Sequence, residues 1–187
     1  MMNQLDMQPD SVQFSNQQVR YDELPHLDAL VLEPISPKYR MLNLVFVTLL
    51  ALILIGVVSG LRFNPFFDMP EDLVYAYPFI VGVISTLGLV WFTYHWFADT
   101  KIMYAVREQD ISKQSGLVFR GLSCQPILRV QHVEVKRGPF DRWAGLAKLQ
   151  VFSAGGEMHT FEIPGLPLER AERIRQYILD HKDVSAR

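Results

Sequence analysis

The sequence predicts a two-helix transmembrane hairpin followed by an all-β barrel or sandwich of about seven short antiparallel strands, capped by a C-terminal α-helix. Three observations carry this. Two uncharged apolar runs, Met41–Leu61 and Tyr75–Ala98, stand thirteen residues apart. After Thr100 the apolar pattern changes from continuous to alternating, with turn residues between short runs. Beyond Pro167 an apolar stripe recurs at helical spacing.

Residues 1–37 come first, as an acidic and largely disordered tail. They hold Arg20 against Asp6, Asp10, Asp22, Glu23, Asp28 and Glu33, and residues 1–26 are rich in Gln, Asn, Asp and Ser. Such a stretch has little apolar surface to fold around. The apolar patch Leu27–Leu32 then precedes Pro34 and Pro37. It reads equally as a strand added to the following domain or as a segment resting on the membrane.

Residues 38–100 form the hairpin, with helices over 41–61 and 75–98. Each run is long enough at about 1.5 Å per residue to cross a hydrocarbon core of about 30 Å. A backbone in lipid must satisfy its own hydrogen bonds, which makes helices of both. Pro65 and Pro70 suit the turn between them. The first run begins too far into the chain, behind acidic residues, for a signal peptide. Lys38 and Arg40 precede the first helix, and Lys101, Arg107 and Lys113 follow the second, while the connection offers Arg62 alone. The positive-inside rule therefore puts both termini in the cytoplasm of a multi-pass inner-membrane protein. Aromatic residues at Tyr39 and Tyr94–Phe97, and at Phe63, Phe66, Phe67, Tyr75 and Tyr77, suit the two interfaces.

Residues 101–182 form the β-domain. Ile102, Tyr104 and Val106 alternate, as do Val133 and Val135, Leu149 and Val151 about Gln150, and Phe161 and Ile163 about Glu162. Turn signals fall at Ser115–Gly116, Gly121, Gly138–Pro139 and Gly155–Gly156. A helix is expected from Pro167 to His181, with Pro167 in its first turn and Leu168, Ala171, Ile174 and Ile178 on its apolar face.

The net charge of −2 hides opposite halves, because residues 100–187 carry fourteen Lys and Arg against ten Asp and Glu. The single cysteine, Cys124, excludes an internal disulfide and reads as a small core residue. Catalysis finds little support: there is no Gly-rich phosphate loop and no nucleophile elbow. His132 and His159 lie in separate strand-like segments without a metal-ligand spacing, so no metal and no cofactor is expected. An uncharged helix interior argues against an ion pathway. The mildly basic domain does not interleave aromatics with cations, which argues against nucleic acid.

The stretch from Pro126 to Val151 resembles the signature of bacterial pleckstrin-homology-like membrane proteins of the YdbS type. The matching positions are Pro126, Arg129, Val130, Gln131, Val133, Gly138, Pro139, Asp141, Arg142, Gly145, Leu146 and Ala147. The segment Tyr104–Gly116 is similar to that family's opening strands, and two membrane helices before the domain are its usual layout. The long acidic tail adds to the pattern. The resemblance implies a seven-stranded, two-sheet barrel with a helix plugging one end, and no enzyme activity. It also implies a heteromeric assembly with a larger relative that carries several copies of the domain.

Candidate surfaces follow from this. Arg129, Lys136, Arg137, Arg142 and Lys148 crowd into twenty positions. A tethered domain with such a patch would rest on anionic headgroups, at about 1 kcal/mol per cation. The plainer reading is a solvated face. Arg129 and Arg142 are expected to hold the Gly138–Gly145 turn, leaving Lys136, Arg137 and Lys148 as the lipid candidates. Trp143, in the loop beside Phe140, either anchors a partner or membrane or folds back on its own domain. Gly56 and Gly60 form a Gly-x-x-x-Gly that allows close helix contact, within the hairpin or in a homo-oligomer. The leading reading is a membrane-anchored interaction module whose partners are the bilayer and a related multi-copy PH-like membrane protein. Its rival is a binder of anionic lipid headgroups.

Overall fold

Two long apolar helices set the frame. In the computed structural model, which describes residues 30–66, 70–153 and 160–185, α1 spans Pro37–Arg62 and α2 spans Glu71–Ala98. The acidic tail, the Gly155–Gly156 turn and His159 lie outside the described residues. Residues Val31–Arg187 form one compact unit. Pro37 opens α1, where its missing N–H costs nothing, and Ser36 before it is extended. Both helices overrun their uncharged runs. α2 takes in Glu71 and Asp72, which suit the positive end of the helix dipole.

The hairpin is closed along its length. A Cβ at Gly88 would stand 3.2 Å from that of Ala51, so glycine lets the helices approach there. Near the turn, the Ser59 and Tyr77 hydroxyls lie 3.0 Å apart. Only 6% and 0% of the two apolar windows are buried within the protein, so these helices are not packed as core helices are. A side chain at Gly56 or Gly60 would meet open space. Their motif therefore lies off the α1–α2 seam.

Among the described residues, seven antiparallel strands form two sheets that do not close on one another. The first sheet has the order β1(Glu33–Pro34), β2(Met103–Val106), β3(Asp110–Ser115) and β4(Gly121–Pro126); the second has β5(Val130–Lys136), β6(Leu146–Ser153) and β7(Thr160–Pro167). The helix α4, Leu168–Ser185, packs on the second sheet. It begins one residue later than the sequence suggests, because Pro167 still pairs with Leu146. Residues 27–29 of the apolar patch Leu27–Leu32 lie outside the described residues and residues 30–32 form no strand; β1 follows directly after them. Its two residues pair with Met103 and Tyr104, so Glu33–Pro34 joins the β-domain rather than the tail.

The core lies between the sheets and α4. Ile111, Ile127, Leu149, Val151, Ile163, Leu166 and Ile178 are fully buried, and Ala171 and Ile174 complete the helix stripe. The alternation of Leu149 and Val151 with Gln150, and of Phe161 and Ile163 with Glu162, holds in the sheet. In β2 it does not, since Tyr104 and Ala105 are both buried while Val106 is exposed. Tyr104 belongs to the core, and its hydroxyl meets Glu33 of β1 and Arg170 of α4.

Candidate membrane-facing site

The hairpin and the β-domain meet through a polar knot under apolar cover. Asp99, in the 3-10 turn Asp99–Lys101 that leaves α2, is buried. It accepts a hydrogen bond from Asn43 Nδ2 at 2.8 Å, and His95 Nδ1 lies 3.1 Å from both its oxygens. A buried carboxylate needs such partners, because an unpaired one costs several kcal/mol. Nearby, Gly165 adopts φ +66°, and a Cβ there would sit 2.6 Å from the Tyr39 Cβ. Ser36 N–H donates to Gly165 O at 3.0 Å. Arg40 lies over the Trp96 ring at 5.1 Å. His95 thus takes part in a structural network where α2 meets the β-domain.

Between β5 and β6 the chain forms a short helix, α3, over Pro139–Ala144. The sequence suggested a loop here, and Trp143 is corrected to this helix. Local chemistry accounts for it. Pro139 fits the first helical position, Asp141 Oδ2 accepts from Gly138 N–H at 2.9 Å, and Gly145 ends the helix at φ +70°. Arg137 braces the loop from below, donating from Nε to Leu146 O at 3.1 Å and from Nη2 to Arg142 O at 3.4 Å. The structural arginine of the turn is therefore Arg137, not Arg142, whose side chain is exposed. Arg129 is also exposed, on the turn that precedes β5.

α3 lies alongside α1. Phe140 meets Phe46 edge-to-face at 5.7 Å, while Trp143 is 87% exposed. Between the two helices runs an apolar slot of about 490 Å³ with Lys38 at one end. Sequence reasoning missed this slot, since Phe46 looked like one apolar residue among many in a membrane run.

The lysines of the basic stretch have partners within the domain. Lys136 Nζ lies 3.1 Å from Glu134 Oε2, and His132 Nε2 lies 3.0 Å from Glu134 Oε1. These two neighbours hold the Glu134 carboxyl below its usual range. Lys148 Nζ lies 2.9 Å from Glu162 Oε1, a bond that raises the lysine's pKa against partial burial. Burial pushes Glu162 up, but bonds from Gln150 and Lys148 carry it below its usual range. Across the sheets, burial lowers the pKa of Lys113, with Glu162 opposing.

The far edge of the first sheet is open. Every residue of β4 except Gln125 is exposed, including Cys124, so the expected core thiol is corrected to an edge position. Cys124 Sγ donates to Asp110 Oδ2 at 2.7 Å, and Arg107 grips the same carboxylate. That grip holds Asp110 below its usual range despite some desolvation. Val118 and Phe119, in the β3–β4 turn, are 81% and 91% exposed. At the other edge Arg170 pairs with Glu33 and donates to the Tyr104 hydroxyl at 2.8 Å, pinning β1 to α4. Among the described residues no group of three His, Cys, Asp or Glu is placed to hold a metal ion.

The family model for the bacterial PH domain matches residues 29–182, hairpin included. The chain belongs to the bacterial PH domain family. It is also 36% identical over 75 residues to transmembrane protein YdbS of Bacillus subtilis (strain 168), which covers 40% of this chain and 45% of that protein. The match thus spans less than half the length of this relative. No solved structure matches. Two helices able to span a bilayer and a relative described as a transmembrane protein identify a membrane protein. Neither description names an enzyme.

Proposed function

We propose that this bacterial PH domain protein is a non-enzymatic interaction module, held at the cytoplasmic face of the inner membrane by its hairpin. It assembles there with a related PH-like membrane protein. Lys38 and Arg40 before α1 and Lys101, Arg107 and Lys113 after α2 support the cytoplasmic placement of both termini. The observation that carries the interaction reading is the open edge of β4. A strand exposed along nearly its whole length offers unpaired backbone groups, and proteins normally blunt or cover such edges. Leu122, Val118 and Phe119 beside it add exposed apolar contacts. A second sheet with an open edge of its own is the partner that suits it.

The rival reading, headgroup binding by the basic stretch, has less support. Glu134 and Glu162 partner Lys136 and Lys148, and Arg137 is turned to backbone carbonyls. A photo-crosslinking residue at Ser123 of the full chain, in native membranes, tests the leading reading. The expected result is one discrete adduct, identified by mass spectrometry as a membrane protein with a PH-like domain and lost on Leu122→Lys. A diffuse smear, or an adduct indifferent to Leu122→Lys, would count against the edge.

A further inference from the structure

We propose that the slot between α1 and α3 is a binding site for one anionic phospholipid. One acyl chain lies along α1 and the headgroup phosphate meets Lys38. The site is independent of the β4 edge and takes no headgroup contact from Lys136, Arg137 or Lys148.

Met41, Val45, Leu49 and Ile53 line the slot along one face of α1, with Phe140 and Trp143 of α3 as the facing wall. From Met41 to Ile53 the helix advances about 18 Å. Half of a hydrocarbon core of about 30 Å is about 15 Å, so the slot has the depth of one leaflet. Its polarity runs as a phospholipid's does. The walls are almost wholly apolar, and among the described residues the one charged lining residue, Lys38, stands at the end where α1 leaves the membrane. The volume of about 490 Å³ lies within the range of ligand pockets. A cation there attracts phosphate, and the exposed Trp143 indole suits the interfacial layer.

The wall is built to persist. Asp141 fixes the start of α3, Gly145 its end, and Arg137 its base, while Phe46 holds Phe140 against α1. A second membrane helix, about 10–12 Å across, is a poorer occupant. Running beside α1 it would have to pass α3, whereas an acyl chain ends in its headgroup at that level.

The test uses the full chain in nanodiscs, with Trp91→Phe and Trp96→Phe leaving Trp143 as the sole tryptophan. Brominated-chain phosphatidylglycerol or phosphatidylcholine is added as a minor component at equal mole fraction. Trp143 is expected to report about fivefold enrichment of the anionic lipid, the preference that one lysine near the surface supplies. Lys38→Gln should abolish the preference and Lys38→Arg should keep it. Lys101→Gln, the same charge loss at the α2 exit, should leave it unchanged. Equal quenching by both lipids, or a preference that survives Lys38→Gln, overturns the proposal. Absence of quenching by either lipid also overturns it, and points to a protein segment in the slot.

Discussion

Gly165→Ala tests whether the hairpin and the β-domain are one rigid body. Gly165 has φ +66°, and a Cβ there would approach Tyr39 of α1 to 2.6 Å at both Cβ and Cγ. Two penalties add. A left-handed backbone costs a non-glycine residue about 1–2 kcal/mol. Forcing a methyl group into a filled contact costs a further ~1–3 kcal/mol. The sum is about 2–5 kcal/mol, or about 4–20 °C in melting temperature for a chain of this size. Gly145→Ala is the internal control. Its φ is +70° with open space around the Cβ, so only the backbone penalty applies, about 2–8 °C.

The assay is thermal unfolding of the detergent-solubilised full chain, followed by near-ultraviolet circular dichroism. Gly165→Ala should unfold below Gly145→Ala. The double variant Tyr39→Gly/Gly165→Ala, which takes away both the Cβ and the ring that the new methyl would meet, should be less destabilised than the two single changes summed, by about 1–3 kcal/mol. Equal losses for the two glycines, together with additivity at Tyr39, would refute a docked junction.

Three further outcomes follow from the same geometry. Asp99→Ala should lower stability by about 1–3 kcal/mol, because Asn43 and His95 lose a buried acceptor, and Asp99→Asn should lose less; thermal melts of the three proteins check this. Arg137→Ala should destabilise by about 1–3 kcal/mol in a thermal melt as α3 loses its brace, whereas Arg142→Ala should stay within about 0.5 kcal/mol. The Glu162 carboxyl titrates below its usual 4.5 in the fold, so its contribution is present above that pH and is lost as pH falls through the lower folded value. Melting temperature should therefore drop more steeply with acid in the parent than in Glu162→Gln.

What could be read from sequence depended on whether a residue's role was set by its neighbours in the chain. The hairpin was legible because membrane crossing needs only length and lack of charge, and α1 and α2 satisfy both locally. β6 and β7 were legible because one face of each is buried and the other is not, which writes a period of two at Leu149, Gln150 and Val151. β4 has no buried face, so its pattern carries no such signal, and Cys124 was misplaced in the core. α3 is six residues long and turns Phe140 and Trp143 away from the β-core, so no apolar stripe marks it. The pair Pro139 and Asp141 after Gly138 was the signal available for its start. The burial of Asp99 left no mark in the sequence, because it depends on Asn43, fifty-six positions away. The basic stretch was legible as charge but not as a surface, since Glu134 and Glu162 face Lys136 and Lys148 only once the strands pair.

The connections between hairpin and domain are short enough to fix how the domain sits on the hairpin. β1 ends at Pro34 and α1 starts at Pro37; α2 ends at Ala98 and β2 starts at Met103. Both junctions are bonded, through Ser36 to Gly165 and through Asn43 and His95 to Asp99. A domain joined by two such links cannot tumble on a tether, and its surfaces keep fixed directions relative to the hairpin. Antiparallel pairing of Met103 with Gln114 returns the β3–β4 turn, with Val118 and Phe119, to the end of the sheet where α2 delivers the chain. α3 reaches α1 on the membrane side as well. The open edge of β4 therefore starts at the hairpin end of the sheet. Under the proposed function, a partner confined to the same membrane would meet it by lateral diffusion, with its own sheet already held at the same height.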